Sequence, residues 1–358
     1  MTYCIYCNNK IKKPSLEHIV PDALGGSLLP DFFKTRSVCE RCNNLLGLFA
    51  DGLYIKSFFS ISNKYLSLIS ESEILKVKNH PFLYFGILDI ENTMNFHCCE
   101  IWSAPCKGRV LHFHNNLDEK YYSYAGGNPI SYKKSPGIAL FINTTDDIEI
   151  LPLSLMSFYK HFKHAERVVS HIDFNGGIDP KLGREPNSTE KYWIEWYQNE
   201  VEVKSSNNHP VKFSFCPSYS DRMMAKISLG LGYNLFGNCF LKTPNSKALR
   251  SYMWEKDFEK RHNIGVLRHD TFAQKDYIFN ILKPTKTDVN IIVKLQSHAL
   301  ILTLIIFGDE QSIEVTTDVD LIKQFNKEYG EGFVYKVSPI YETCQGPYDY
   351  WEYVYNQA

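Results

Sequence analysis

The sequence predicts an α+β protein, with a small zinc-bound N-terminal module followed by a larger mixed α/β region containing antiparallel strands. Three observations carry this reading. Two Cys-x-x-Cys pairs, Cys4 with Cys7 and Cys39 with Cys42, frame the first part of the chain. Short apolar runs separated by Gly, Pro, Asn or Asp follow, the pattern of strands joined by turns. Further on, Met223, Ile227, Leu231 and Leu235 recur every four residues, which marks a packed helical face.

Two such cysteine pairs can set four thiolates around one tetrahedral ion. Thiolates are soft ligands, so Zn²⁺ is expected, and a closed shell of four suits a structural role. A module this small buries too little surface to be stable alone, so the ion contributes folding energy. Asn43 directly follows the last cysteine, and Leu45, Leu46, Leu48, Phe49 and Leu53 have helical spacing, predicting a helix from about Asn43 to Phe58. Between the cysteine pairs lies Leu16-Glu17-His18-Ile19-Val20-Pro21-Asp22-Ala23-Leu24-Gly25-Gly26. On a strand, Glu17 and His18 would face opposite sides. Both serve one site only where the chain twists or bulges, which Pro21 and Gly25-Gly26 would permit.

Read together, Cys-x-x-Cys, Glu-His-Ile-x-Pro-x-x-Leu-Gly-Gly and Cys-x-x-Cys-Asn-x-x-x-Gly resemble the zinc-stabilised HNH endonucleases, whose shared core is the ββα-metal fold. The resemblance covers roughly residues 1–55. It implies a strand carrying the acidic-His pair, a glycine-containing loop to a second strand, and a helix bearing the last ligand. It further implies that Glu17 and Asn43 are ligands of a catalytic divalent cation, Mg²⁺ or Mn²⁺, and that His18 is the general base. The products would carry 5′-phosphate and 3′-hydroxyl ends. Where many members have an asparagine shortly before the third cysteine to brace the loop around the histidine, this sequence has Lys34. Another group, or the backbone, must then brace the loop.

The chemistry is consistent with those residue types. A neutral imidazole takes a proton from water near pH 7. A hard cation prefers oxygen donors and keeps several waters, so one carboxylate and one amide oxygen are enough from the protein. The competing reading is a non-catalytic zinc knuckle that binds nucleic acid or a partner. A purely structural knuckle has no use for Glu17, His18 and Asn43 together.

The module is assigned to residues 1–58, a strand-rich domain to 59–215, and a helix pair with an antiparallel sheet to 216–358, the last either separate from or continuous with the domain before it. Strands are predicted at Phe82–Leu88, Phe96–Trp102, Val110–Phe113 and Ile138–Ile142, a helix at Ser154–Ser170, and a strand or hairpin at Tyr192–Val203. His97, Cys98, Cys99, Cys106, His112 and His114 raise the question of a second metal. Adjacent Cys98 and Cys99 on a strand face opposite sides, so buried reduced cysteines are the preferred reading. His161, His164 and His171 would share a helix face that points to phosphate. Ser218–Asp221 supplies caps for the next helix, and Gly230, Gly232 and Gly237 imply close packing on a neighbour. A charged helix is expected at Ser246–Arg261. A meander then runs through Asn290–Leu295, Ala299–Phe307 and Ser312–Thr316, followed by a last helix at Leu321–Tyr329 and an aromatic tail, Tyr348 to Tyr355, docked onto the body.

A formal net charge of −1 does not advertise a nucleic-acid binder. The charge is uneven, however. Lys10, Lys12, Lys13, Lys34, Arg36, Arg41 and Lys56 make the N-terminal surface mildly basic once Glu17 is neutralised, whereas Asp309, Glu310, Glu314, Asp318 and Asp320 make the C-terminal end acidic and able to hold DNA off. No apolar run has membrane-spanning length, no signal peptide is read, and ten cysteines without one point to the reducing cytoplasm. By resemblance the partner is DNA, most simply double-stranded. An activating ligand or partner protein would act through the C-terminal region, and the architecture associates with phage defence or restriction.

Overall fold

A computed structural model describes residues 3–55, 82–88, 94–103, 108–115, 136–143, 151–170, 181–199, 211–212, 220–266, 268–270 and 287–357. The chain divides into two compact units, Met1–Ile55 with Ser218–Ala358, and Lys56–Pro217. The N-terminal module and the C-terminal block therefore share one unit, and the stretch between them forms the other.

In the first unit, β1 (Pro14–His18) pairs antiparallel with β2 (Lys34–Cys39), setting Glu17 opposite Thr35 and His18 opposite Lys34. α1 (Glu40–Leu46) leaves β2 directly, passes through a π-helical turn at Gly47–Asp51 and continues as α2 (Gly52–Ile55). The helix starts three residues before Asn43, because extended Cys39 already serves as its N-cap. Residues 56–58 of the expected helix lie outside the described residues. Ile5, Tyr6, Ile19, Val20, Phe33, Leu46 and Tyr54 are fully buried and make the module's core.

The second unit is built on a six-stranded sheet. Its strands are β3 (Leu83–Leu88), β4 (Cys98–Ser103), β5 (Gly108–His114), β6 (Gly137–Asn143), β7 (Glu166–Ser170) and β8 (Val211–Lys212), in the order β7-β6-β5-β4-β3-β8. All neighbours are antiparallel except β6 and β7, whose parallel pairing needs a crossover, supplied by α3 (Leu151–His161). Phe158 of α3, with Phe162 just beyond it, packs on Phe82, Trp102, Val110, Phe141 and Val169. The opposite face of the sheet is covered by α4 (Ser188–Trp196), through Trp193 and Ile194.

Three expectations for this unit are corrected. The helix predicted to run to Ser170 stops at His161, because Glu166–Ser170 joins the sheet and buries β-branched Val168 and Val169 on its two faces. The strand predicted from Tyr192 is helical as far as Trp196. A capping box nucleates it, with Asn187 accepting from Glu190 N–H and the Glu190 carboxylate accepting from Asn187 N–H. His161 ends its helix and His164 lies in the turn beyond, so the two share no helix face. His171, Cys106 and residues 200–203 lie outside the described residues.

The first unit resumes with α5 (Asp221–Phe236), α6 (Asn238–Leu241), α7 (Pro244–Trp254) and α8 (Phe258–His262). The single charged helix expected at Ser246–Arg261 is thus two, capped separately by Thr243 and Asp257. An antiparallel sheet of β9 (Arg268–Asp270), β10 (Val289–Gln296), β11 (Ala299–Ile306), β12 (Asp309–Thr316), β13 (Gly332–Ser338) and β14 (Thr343–Asp349) follows, in the order β14-β13-β10-β11-β12-β9. The predicted meander is β10-β11-β12. α9 (Val319–Tyr329) matches the expected helix, but β13, β14 and α10 (Tyr350–Gln357) extend the fold past it. The aromatic tail docks as expected, with Tyr350, Tyr353 and Val354 buried on Ile292, Ile305 and Val334.

α5 is buried around most of its circumference. A Cβ at Gly230 would sit 3.0 Å from the Ile19 side chain, and one at Gly232 would lie 2.4 Å from the Phe240 ring. These glycines let the helix approach the module on one side and α6 on another. Ser220 forms no side-chain cap; its hydroxyl donates instead to Gln311 Oε1 at 2.8 Å. Among the described residues no helix is long and apolar enough to cross a membrane.

Candidate functional site

Sγ atoms of Cys4, Cys7, Cys39 and Cys42 all lie within 4.8 Å of one another. The Cys7–Cys39 separation is 4.0 Å, against an edge of about 3.8 Å for a tetrahedron with Zn–S bonds near 2.3 Å. Cys39 N–H points at Cys4 Sγ, and a turn through Asn8, in the left-handed region at φ 56°, brings Cys7 round. A hydrogen bond from Cys42 holds the Cys4 thiol down to about 4, and Cys42 is driven up in return. The donor set fits a structural zinc. Helix α7 steadies it from behind, since Arg250 donates twice to Ile5 O and Trp254 Nε1 donates to Tyr6 O at 2.9 Å.

The β1–β2 register shifts between Ser15 and Glu17, just before the acidic-His pair rather than at the proline or glycines after it. Glu17 and His18 still face different ways: the Glu17 side chain is 2% exposed and that of His18 25%. His18 Nδ1 lies 2.6 Å from Asp22 Oδ1, one turn further on. That turn is tight, because Gly26 N–H bonds back to Pro21 O and a Cβ on Gly26 would fall 1.8 Å from Val20 O. Gly25, at φ 86°, completes it. Asn43 Nδ2 donates to Ser15 Oγ at 2.8 Å and to Leu16 O at 2.9 Å, which ties α1 to the residues immediately preceding the pair.

The largest feature absent from the sequence reading is Lys226 of α5. Its ammonium lies 2.6 Å from Glu17 Oε1, 2.6 Å from Asp51 Oδ2 and 3.5 Å from His18 O. The Glu17 contact is an ion pair rather than an aligned hydrogen bond, since that oxygen meets no hydrogen-bond geometry. Burial raises the carboxyls of Glu17 and Asp51 above their ordinary range, with Lys226 opposing it. Burial also disfavours the Lys226 ammonium, but Asp51 and Glu17 overcome this and hold its pKa above the usual value. One ammonium thus faces two buried carboxyl groups behind β1. The π-helical turn is what re-aims Asp51 at this cluster.

Lys34 does not brace the loop; its ammonium pairs with exposed Asp31 at 3.0 Å. The brace comes from α5, where Asn234 Nδ2 donates to Phe32 O at 2.5 Å and Lys34 O at 3.2 Å. An asparagine amide therefore serves the loop after all, from two hundred residues away. Asp22 was legible as an i,i+4 partner of His18. Lys226 was legible only as a charge inside an otherwise apolar helical face, which a buried lysine contradicts unless it is paired.

Beside the knuckle lies a cavity of about 790 Å³ lined by Lys10, Lys12, Lys13, Arg41 and Arg250, with Glu40 the only acid lining it among the described residues. Glu40 is itself paired with Lys13 at 2.8 Å. Against known proteins, residues 4–59 match the family model for HNH endonucleases. No curated protein and no solved structure matches the chain.

Proposed function

We propose that the chain is a metal-dependent endonuclease that hydrolyses phosphodiester bonds in double-stranded DNA. The observation that carries this reading is the pair of hydrogen bonds from Asn43 to Ser15 and Leu16, which join the residue after the zinc ligands to the strand bearing Glu17 and His18. His18 is the general base. Asp22 Oδ1, 2.6 Å from Nδ1, holds that edge of the imidazole, which leaves Nε2 on the other edge to take a proton from water. The donors proposed for Mg²⁺ or Mn²⁺ are the Asn43 amide oxygen, the atom left to bind because Nδ2 is committed to β1, and the Glu17 carboxylate, which would have to leave Lys226 and turn toward the His18 side to join it. When bound, such a cation supplies charge stabilisation at the phosphate and the leaving oxygen. Lys226 holds Glu17 and the His18 backbone in register from behind. The basic cavity beside the knuckle supports contact with a phosphate backbone.

The second unit would supply recognition, control or response to an activating ligand or partner, in the reducing cytoplasm and in a defence or restriction setting. A second reading is favoured by the ion pair between Glu17 and Lys226: a module that binds nucleic acid without cutting it, its acidic residue already neutralised by protein. One experiment separates the two. Plasmid nicking by wild type and His18→Ala is compared with Mg²⁺, Mn²⁺ or EDTA. Cation-dependent cutting lost in the variant supports the nuclease. Retention of plasmid without cutting, by both proteins, supports the binding module.

A further inference from the structure

The second unit holds a cluster that the zinc knuckle does not involve. Strands β4 and β5 pair with Cys98 opposite His114 and Glu100 opposite His112. Residues two apart on a strand share a face, so these four side chains form a block on one side of the sheet. Trp102 and Val110 continue the same face into the core under α3, and Phe162 packs edge-on against both His112 and Trp102. Cys98 is 2% exposed and the other three 0%, so the block is dry.

From this arrangement we propose a second structural zinc site, with Glu100, His112 and His114, whose donor atoms all lie within 4.8 Å of one another, as ligands, and Cys98, against the His114 ring, as the fourth donor once its thiol turns toward them. The spacing fits. Glu100 Oε2 lies 3.3 Å from His112 Nδ1 and 3.4 Å from His114 Nε2, and Cys98 Sγ lies 3.4 Å from the same His114 nitrogen. Zinc bonds of about 2.0–2.3 Å to N, O and S give tetrahedral edges of about 3.3–3.8 Å. Without a cation the block is hard to account for. It encloses a carboxylate whose Oε1 has no hydrogen-bond partner among the described residues, while Oε2 is crowded by Trp102 Nε1 and both imidazoles. Buried polar groups left in that state are costly. A cation resolves it, and the bond from Trp102 Nε1 to Glu100 at 3.0 Å becomes the outer contact that orients a ligating carboxylate. Soft sulfur with two imidazoles and one oxygen selects zinc over Mg²⁺ or Ca²⁺. Buried protein donors on two paired strands make the site a staple between β4 and β5 rather than a reaction centre.

The test uses the full chain, purified without chelators from zinc-supplemented cells. Metal analysis should find two zinc ions per chain, falling to one in Cys98→Ser and in Glu100→Gln, and falling to one independently in Cys39→Ser. Zinc X-ray absorption on the wild type needs no variant. A shell of sulfur mixed with nitrogen and oxygen is expected, because the knuckle alone gives sulfur only. One zinc per chain with a pure sulfur shell would overturn the proposal. So would two zinc ions whose number is unchanged in folded Cys98→Ser and Glu100→Gln proteins, with folding checked by near-ultraviolet circular dichroism.

Discussion

The knuckle and the strand block of the second unit differ in what brings their close donor pairs together. In the knuckle, each cysteine pair sits within one turn, and only the two turns must be brought together. In the block, each close cross-strand pair is made by ladder register, Cys98 with His114 and Glu100 with His112. The first arrangement writes itself into spacing; the second is written only in which residues fall opposite one another. The Glu17–His18 strand combines both kinds. Asp22 is a local partner, whereas Lys226 and Asn234 come from a helix two hundred residues away.

Breaking the local part should have the largest effect. Cys42→Ser should release the knuckle zinc and unfold the module, since small zinc modules draw most of their folding free energy from the ion. Metal content and proteolysis of residues 1–55 read this out. The long-range part comes next. Lys226→Met leaves two buried carboxylates without their cation and should lower stability by about 3–5 kcal/mol. The loss has a pH sign. Glu17 and Asp51 have raised pKa values in the fold, so the folded state binds their protons more tightly and stability falls as pH rises through that window. The variant's melting temperature should therefore recover in part as the pH is lowered from neutral toward the ordinary carboxylate range; an equal deficit at neutral and acidic pH would remove the buried-charge account.

His18→Ala should leave melting and zinc content unchanged while cutting cleavage about 10²–10⁴-fold, the usual contribution of a general base. Asp22→Asn should fall between this variant and wild type in rate, because it weakens orientation without removing the imidazole. The smallest effect is expected at the loop brace. Asn234→Ala strands the Phe32 and Lys34 carbonyls and should lower stability by about 1–3 kcal/mol. A thermal melt unchanged in Asn234→Ala would mean that the backbone bond from Ile19 N–H to Phe33 O is brace enough.

What was legible follows the same division. The knuckle, the β-β-α order and the meander were readable because spacing and alternation are local properties. The helix over Ser188–Trp196 was also local, announced by Asn187 and Glu190, but aromatic Tyr192, Trp193 and Trp196 matched a strand composition and masked the capping box. The place of Glu166–Ser170 in the sheet depends on a parallel neighbour, β6, that no local pattern reveals. Glu100 carries no local mark of a ligand, because it meets His112 only through the β4–β5 register. Lys226 and Asn234 act across the unit, so only the folded chain brings out their part.

The Glu-His strand leaves the ribosome well ahead of its counter-charge, since the ammonium follows 208 residues after His18. At 5–20 residues per second a ribosome needs about 10–40 s to cover that distance. Throughout that interval the nascent module has neither the counter-charge behind Glu17 nor the amide that braces its loop. Maturation is thus timed by translation: a ribosome-bound chain stalled ahead of α5 should be cut readily by protease within residues 1–55, and one stalled beyond α7 should resist.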